Sequence, residues 1–360
     1  MSDSSVQASL AHSNLYSAMH AAFPKDLQQN AIEAIDEHGQ TLFYSWADLH
    51  HGSARMAQLL QSLNLPLGSR VAVQVEKSVE ALMLYLATLR AGHVYVPLNT
   101  AYQQAEVEYF IENCQPGVVV CAPEKFGWIS KIAFTRGAGH VYTLGTDRSG
   151  TLLDRAAHFC DEQEPVARAS EDLAAILYTS GTTGRSKGAM LSHGNLLSNA
   201  ATLKVYWHWQ SDDVLIHALP IFHIHGLFVA IHGALINGSR MIWLAKFDPD
   251  LVISRMQDAT VFMGVPTLYV RMLGSARLNR DAAAKMRLFI SGSAPLLPET
   301  FRTWKVRTGQ AILERYGMSE TVMNTSNPCH PDPRYGKEDE RRAGTVGFPL
   351  PGVGVRIQGD

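Results

Sequence analysis

The sequence predicts an α/β protein made of two packed αβα-type subdomains with largely parallel sheets. Three observations carry this expectation. Apolar runs of strand length recur along the chain, helical patterns stand between them, and the runs are almost continuously apolar, as in sheets covered on both faces. The length of 360 residues allows one large α/β unit or two ordinary domains, and 46% hydrophobic against 18% charged residues suits a sizeable packed core.

The first clear unit is βαβαβ. Residues 71–75 (VAVQV) follow Gly68 as a buried strand. Ser78 is placed to cap a helix on which Val79, Leu82, Met83, Leu86 and Leu89 share one face, and Gly92 is placed to end it. Residues 94–98 read as the next strand, 103–113 as a helix and 118–122 as a third strand. Residues 123–170 are richer in glycine and charge and read as surface loops; alternation resumes at 174–180. Residues 214–237 lack Asp, Glu, Lys and Arg, yet His217, Pro220, His223, His225 and His232 argue against a lipid-facing helix. A buried strand, a loop and a buried helix are expected there, and no membrane partner. Asp248 and Pro249 supply a cap and a first-turn proline for a helix, and 261–265, 288–292 and 311–317 read as further strands. The expected division is 1–170 and 171–345, the second unit holding the nucleotide and acid sites, with 346–360 the start of a third, β unit. Its VGFPLPGVGVRIQGD enters a strand and stops, as a fragment would.

Composition excludes some functions. A net charge of −2 and a pI near 6.7 give no footprint for nucleic acid. Cys114, Cys121, Cys160 and Cys329 are scattered without C-x-x-C spacing and read as reduced thiols of a cytoplasmic protein. The opening MSDSSVQASLAHSNLYSAMH has no basic segment followed by an apolar core, so no secretory signal is expected.

The strongest chemical signal is YTSGTTGRSKG at 178–188, directly after an apolar strand. Gly181 and Gly184 let backbone approach an anion, Thr179, Ser180, Thr182 and Thr183 add hydroxyl donors, and Lys187 adds positive charge. Lys187 precedes Gly188, so a Walker A loop cannot be aligned. Composition alone leaves a plain surface loop as the alternative.

This string resembles the phosphate-binding signature of the adenylate-forming superfamily, which includes acyl-CoA synthetases, firefly luciferase and peptide-synthetase adenylation domains. Three further segments are similar, in order: LPIFHIHGL (219–227), SGSAP (291–295) and ERYGMSET (314–321). The resemblance implies the N-terminal domain of such an enzyme, which uses Mg-ATP to convert a carboxylate to an acyl adenylate and then transfers it to coenzyme A. It places ATP against the 179–187 loop, Gly292, Ser293, Ala294, Pro295 and the run Glu314, Arg315, Tyr316, Gly317, Met318 and Ser319, with Tyr316 stacked on adenine. Ser319 stands where the family more often has threonine. Lys187, His223 and Glu320 take the catalytic roles, and Thr183 and Glu320 hold magnesium. Glu320 without the surrounding motif would read as a solvated helix-start carboxylate, and His223 with His225 could be an H-x-H metal pair lacking a third ligand. In the family reading His223 gates the substrate and His225 walls the acyl pocket.

The acid is read from Arg271, one cation in an apolar run entering a helix after Pro266. Buried, it would require an acceptor such as the distal carboxylate of a dicarboxylic acid; on the outer face, its head would reach water. PTLYVRML, RLFISGSAPL, ERYGMSETVMNTSNP and AGTVGFPLPGV resemble malonate–CoA ligases, in which an arginine at the Arg271 position stands with a serine like Ser293. Arg287 and Arg240 are weaker candidates. The resemblance also implies a smaller C-terminal domain beyond residue 360, bearing a further lysine, without which this portion catalyses poorly. A non-catalytic acyl-adenylate or ATP-binding module, and a domain that loads a carrier protein, are the alternatives.

Overall fold

The computed structural model describes residues 14–36, 38–179, 185–330 and 341–358. The strands, in chain order, are β1 (Asn30–Ile35), β2 (Thr41–Ser45), β3 (Arg70–Gln74), β4 (Val94–Pro97), β5 (Val118–Cys121), β6 (His140–Thr143), β7 (Leu173–Thr179), β8 (Lys187–Ser192), β9 (Val214–His217), β10 (Arg240–Leu244), β11 (Val261–Gly264), β12 (Leu288–Ser291), β13 (Ile312–Tyr316), β14 (Thr325–Ser326) and β15 (Phe348–Pro349). They form a six-stranded sheet ordered β6-β5-β3-β4-β7-β8 and a nine-stranded sheet ordered β15-β14-β13-β12-β11-β9-β10-β1-β2. Antiparallel pairing is confined to the sheet margins, at β1/β2, β7/β8, β13/β14 and β14/β15. The interior of both sheets is parallel, as continuous apolar strands predict.

Local signals account for the helices. Ser78 caps Val79–Arg90 by accepting from the Ala81 N–H at 3.0 Å, and Asp248 caps Pro249–Arg255 by accepting from Leu251 at 2.8 Å. The first of these helices is buried on every side, not on one face alone. Residues 123–170 correct the expectation of surface loops. They hold the helix Phe126–Thr135, strand β6 parallel to β5, and the helix Thr151–Ala156. β6 is the outermost strand of its sheet and mostly half-buried, so it never needed the apolar run that marks a covered strand.

Sheet membership also crosses the 1–170 and 171–345 boundary. β1 and β2 join the larger sheet, whereas β7 and β8 complete the smaller one. The sheets are tied by Lys77, just beyond β3, whose Nζ donates to the carbonyls of His217 (2.8 Å) and Leu244 (2.7 Å), the last residues of β9 and β10. The same ammonium lies 4.6 Å from the centre of the Trp243 ring. Beyond β9 come a loop, the π-helix His225–Ile231 and the helix His232–Leu235, all buried from His225 onward. Among the described residues no helix is long and apolar enough to cross a membrane.

Burial holds several core histidines neutral: the pKa falls to about 4 for His93, about 4 for His193 and about 3 for His232. Unfolded, each takes up its proton near 6.5, so the unfolded chain binds more protons below that pH and stability falls as the medium acidifies from 6.5 towards 4. Each such histidine adds about 1.4 kcal/mol per pH unit to that slope once the pH is well below 6.5. His232→Gln is expected to flatten the slope by one histidine's share in urea titrations at pH 7, 6 and 5; an unchanged slope would contradict this.

Candidate functional site

Because β9 to β13 run parallel, their carboxyl ends and the turns that follow lie along one edge of the larger sheet. In open α/β sheets this edge is where ligands bind. Three of the segments singled out in the sequence, 219–227, 291–295 and 314–321, leave β9, β12 and β13 here.

The turn after β12 begins at Gly292, and Ser293 adopts a left-handed conformation with φ of 70°. Glu314, buried in β13, braces this turn by accepting from the Leu296 N–H at 2.8 Å, and burial raises its pKa. Arg315, the next residue, is also buried, and a Cβ on residue 292 would overlap its guanidinium and have to displace it. Beyond β13 the chain turns sharply. A Cβ on Gly317 would collide with the Val322 carbonyl, while the Tyr316 carbonyl accepts from Asn324 at 2.9 Å. That turn leaves Tyr316 44% and Met318 41% exposed, an open aromatic and thioether surface beside the 292–295 turn.

Glu320 is exposed and lines a cavity of about 520 Å³. Asn195, Ser198, Asn199 and Thr202 of the helix His193–Tyr206 face the same cavity, as does Leu191 of β8. Sequence inspection missed these polar residues, although their i, i+3, i+4, i+7 spacing is a readable stripe. Lys187 starts β8 opposite Thr179, whose hydroxyl donates to the Lys187 carbonyl at 3.5 Å. The Tyr109 hydroxyl holds the Ser186 carbonyl at 2.7 Å. Thus the neck of the hydroxyl-rich loop is fixed; Ser180, Gly181, Thr182, Thr183 and Gly184 lie outside the described residues.

The two histidines after β9 differ. His223 is exposed, with its ring against Phe222, and partial burial lowers its pKa. His225 is buried, and its pKa is driven well below the usual range by burial, then by the charge of Arg315. Its Nδ1 lies 3.3 Å from the Ser293 hydroxyl, and its Nε2 has no hydrogen-bond partner among the described residues. His217 reaches the same segment through Nε2, 3.0 Å from the Gly226 carbonyl; a carbonyl only accepts, so this nitrogen carries the proton. Among the described residues no three or more His, Cys, Asp or Glu side chains gather as a metal cage.

Arg271 is exposed, not buried, and its guanidinium stacks 4.7 Å from the centre of the Phe247 ring. Of its two readings, the outer-face one describes this structure. Phe247 follows β10, so Arg271 nonetheless stands at the carboxyl edge. Arg240 begins β10 and Arg287 immediately precedes β12, so both sit at the opposite edge; Arg287 is engaged with Asp213. Neither lies at the edge where the other candidate residues gather.

With this geometry in hand, comparison with known proteins is informative. The family model described as AMP-binding enzyme matches residues 25–360. A mitochondrial malonate–CoA ligase of Bos taurus is 32% identical over 347 residues, covering 91% of this chain and 57% of that enzyme. The crystal structure of ATP-bound MatB from Rhodopseudomonas palustris matches with a TM-score of 0.87 and 52% identity, over 94% of this chain and 65% of that one. A malonyl-CoA ligase in a ternary product complex with methylmalonyl-CoA and AMP matches with a TM-score of 0.75 and 30% identity, over 94% and 66%. The chain therefore spans little more than half of the bovine relative and just under two thirds of the two solved structures.

Gly317→Ala is expected to lower stability by about 1–3 kcal/mol, because the Cβ must push the Val322 carbonyl aside. A urea midpoint equal to that of the unaltered chain would show that the turn accommodates the methyl.

Proposed function

Because the chain belongs to the AMP-binding enzyme family, we propose that it is the nucleotide- and acid-binding part of an AMP-forming acid–CoA ligase that acts on malonate or a close relative such as methylmalonate. The observation that carries this reading is the convergence on one sheet edge of the His225–Ser293 pair, the Tyr316–Glu320 turn and the cavity that Glu320 shares with β8.

The chemistry needs such an edge. A carboxylate cannot expel oxide, so its oxygen first attacks the α-phosphorus of ATP and pyrophosphate leaves; the thiol of coenzyme A then attacks the acyl carbon and AMP leaves. Charge collects on phosphate oxygens, so positioned donors and cations matter more than side-chain proton transfer. Lys187 and the hydroxyls of Thr179, Ser180, Thr182 and Thr183 hold the phosphates. Tyr316, exposed at the turn, supplies the adenine platform, with backbone of Gly292 to Pro295 at the base edge. Glu320 offers carboxylate oxygens and the residues facing it hydroxyl and amide oxygens, a donor set that fits Mg²⁺. Glu320 and Thr183 would hold the ion, which when bound neutralises charge on the phosphate oxygens.

His225 stays neutral at pH 7 because it is buried beside a cation. If Ser293 donates to Nδ1, Nε2 carries the proton and offers it to the bound acid, while His223 covers the entrance. Arg271, held at the same edge by Phe247, meets the distal carboxylate of a dicarboxylic acid together with Ser293. The relatives named as malonate–CoA ligases support the choice of acid.

Pyrophosphate release by the full gene product that carries this chain is the test, with malonate, methylmalonate, succinate, acetate and coumarate compared. Malonate or methylmalonate should give the highest kcat/KM. Arg271→Ala should lower kcat/KM for malonate by about tenfold or more, the worth of a charged hydrogen-bonded contact, with little change in KM for ATP. Equal loss towards both substrates would remove Arg271 from acid recognition.

A further inference from the structure

His217 ends β9 and is 1% exposed. Its carbonyl accepts from Lys77, its ring is stacked on Trp243 with centroids 4.8 Å and planes 14° apart, and its Nε2–H donates to the Gly226 carbonyl at 3.0 Å. Burial, and next the charge of Lys77, hold this imidazole well below its usual pKa, so it stays neutral with its proton on Nε2. Nδ1 has no hydrogen-bond partner among the described residues. An apolar side chain would fill this core position without leaving a buried acceptor open, so the case for histidine here rests on its donor.

The peptide that this donor holds explains its place. The Gly226 carbonyl and the Leu227 N–H belong to one rigid plane. His217 takes the carbonyl end, and the N–H end donates to the His223 carbonyl at 3.0 Å. His225 directly precedes that plane, at the start of the π-helix, a rare conformation that recurs at functional sites. Gly226 is packed so closely that a Cβ there would overlap the Pro220 carbonyl. One donor from β9 therefore sets the backbone of both histidines that the ligase reading places at the acid.

We propose that His217 is a positioning residue for the acid site: its Nε2–H fixes the Gly226–Leu227 peptide, and through it the His225 ring against Ser293 and His223 at the entrance. This assignment rests on the ligase reading above and adds the contact that holds its two histidines in place.

The test is pyrophosphate release by the full gene product, with ATP and the preferred acid of the unaltered protein varied in turn. His217→Leu removes the donor at similar volume. His217→Gln presents an amide N–H where Nε2 stands, whereas the shorter His217→Asn reaches only the Nδ1 position. His217→Leu and His217→Asn should lower kcat/KM for the acid by about tenfold, with KM for ATP changed by less than about twofold, and His217→Gln should recover most of the loss. The pH profile of kcat/KM should keep its shape in His217→Gln, because the imidazole it replaces is not a proton carrier. A profile that loses a limb would overturn the assignment. So would equal impairment in His217→Gln and His217→Asn, an equal loss towards acid and ATP, or a lower urea midpoint with unchanged kcat/KM, the pattern of a residue that only props the fold. If His217→Leu does not fold, the comparison of His217→Gln with His217→Asn decides alone. If the unaltered protein releases no pyrophosphate with any acid, the ligase reading fails first, and this assignment with it.

Discussion

Parallel pairing is the constraint on which the rest of the molecule depends. Once β9 to β13 run in one direction, the turns that follow them must lie along a single edge, whatever their distance in sequence. Lys77 adds the second half of that constraint. By capping the carbonyls at the ends of β9 and β10, it fixes the smaller sheet against that edge and sets where the chain departs towards His223 and His225. The hairpin of β7 and β8 belongs to the smaller sheet, and Leu191 of β8 lines the cavity that Glu320 shares.

Electrostatics at the edge is organised by burial. Imidazoles are kept neutral: His217 and His225 sit well below their usual range, and each is tied to a neighbour by a hydrogen bond. Carboxylates divide by depth. Glu314 is buried and braces backbone, whereas Glu320 is exposed over an oxygen-rich cavity. Cations divide likewise, with Arg271 and Lys187 exposed and Arg315 enclosed.

Much of this was legible in the sequence because chemistry-bearing residues cluster where apolar strands end, and both signals are local. Ser78, Asp248 and Pro249 likewise announced their helices through cap chemistry. What could not be read was long-range. Nothing in residues 30–45 says that β1 pairs with β10, some two hundred positions later, or that β7 turns back to the smaller sheet. β6 was missed because an edge strand need not be apolar on both faces. The burial of the arginines could not be read for a similar reason. Arg271 lies in an apolar run yet faces outward, and Arg315, one residue from Glu314, is enclosed, because burial is decided by Phe247, Gly292 and the neighbouring strands. The polar stripe at Asn195, Ser198, Asn199 and Thr202 was readable but pointed to no particular chemistry until Glu320 was found opposite it.

The ligase assignment rises or falls with the grip of the 179–187 loop on nucleotide. Amide hydrogen exchange of this chain, followed while Mg·ATP is titrated in, addresses that grip without requiring turnover. Slowed exchange across residues 179–187 and 316–320, with measurable heat of binding, is expected. Exchange in both segments that is indifferent to saturating nucleotide, with no heat, would mean that this edge does not hold ATP.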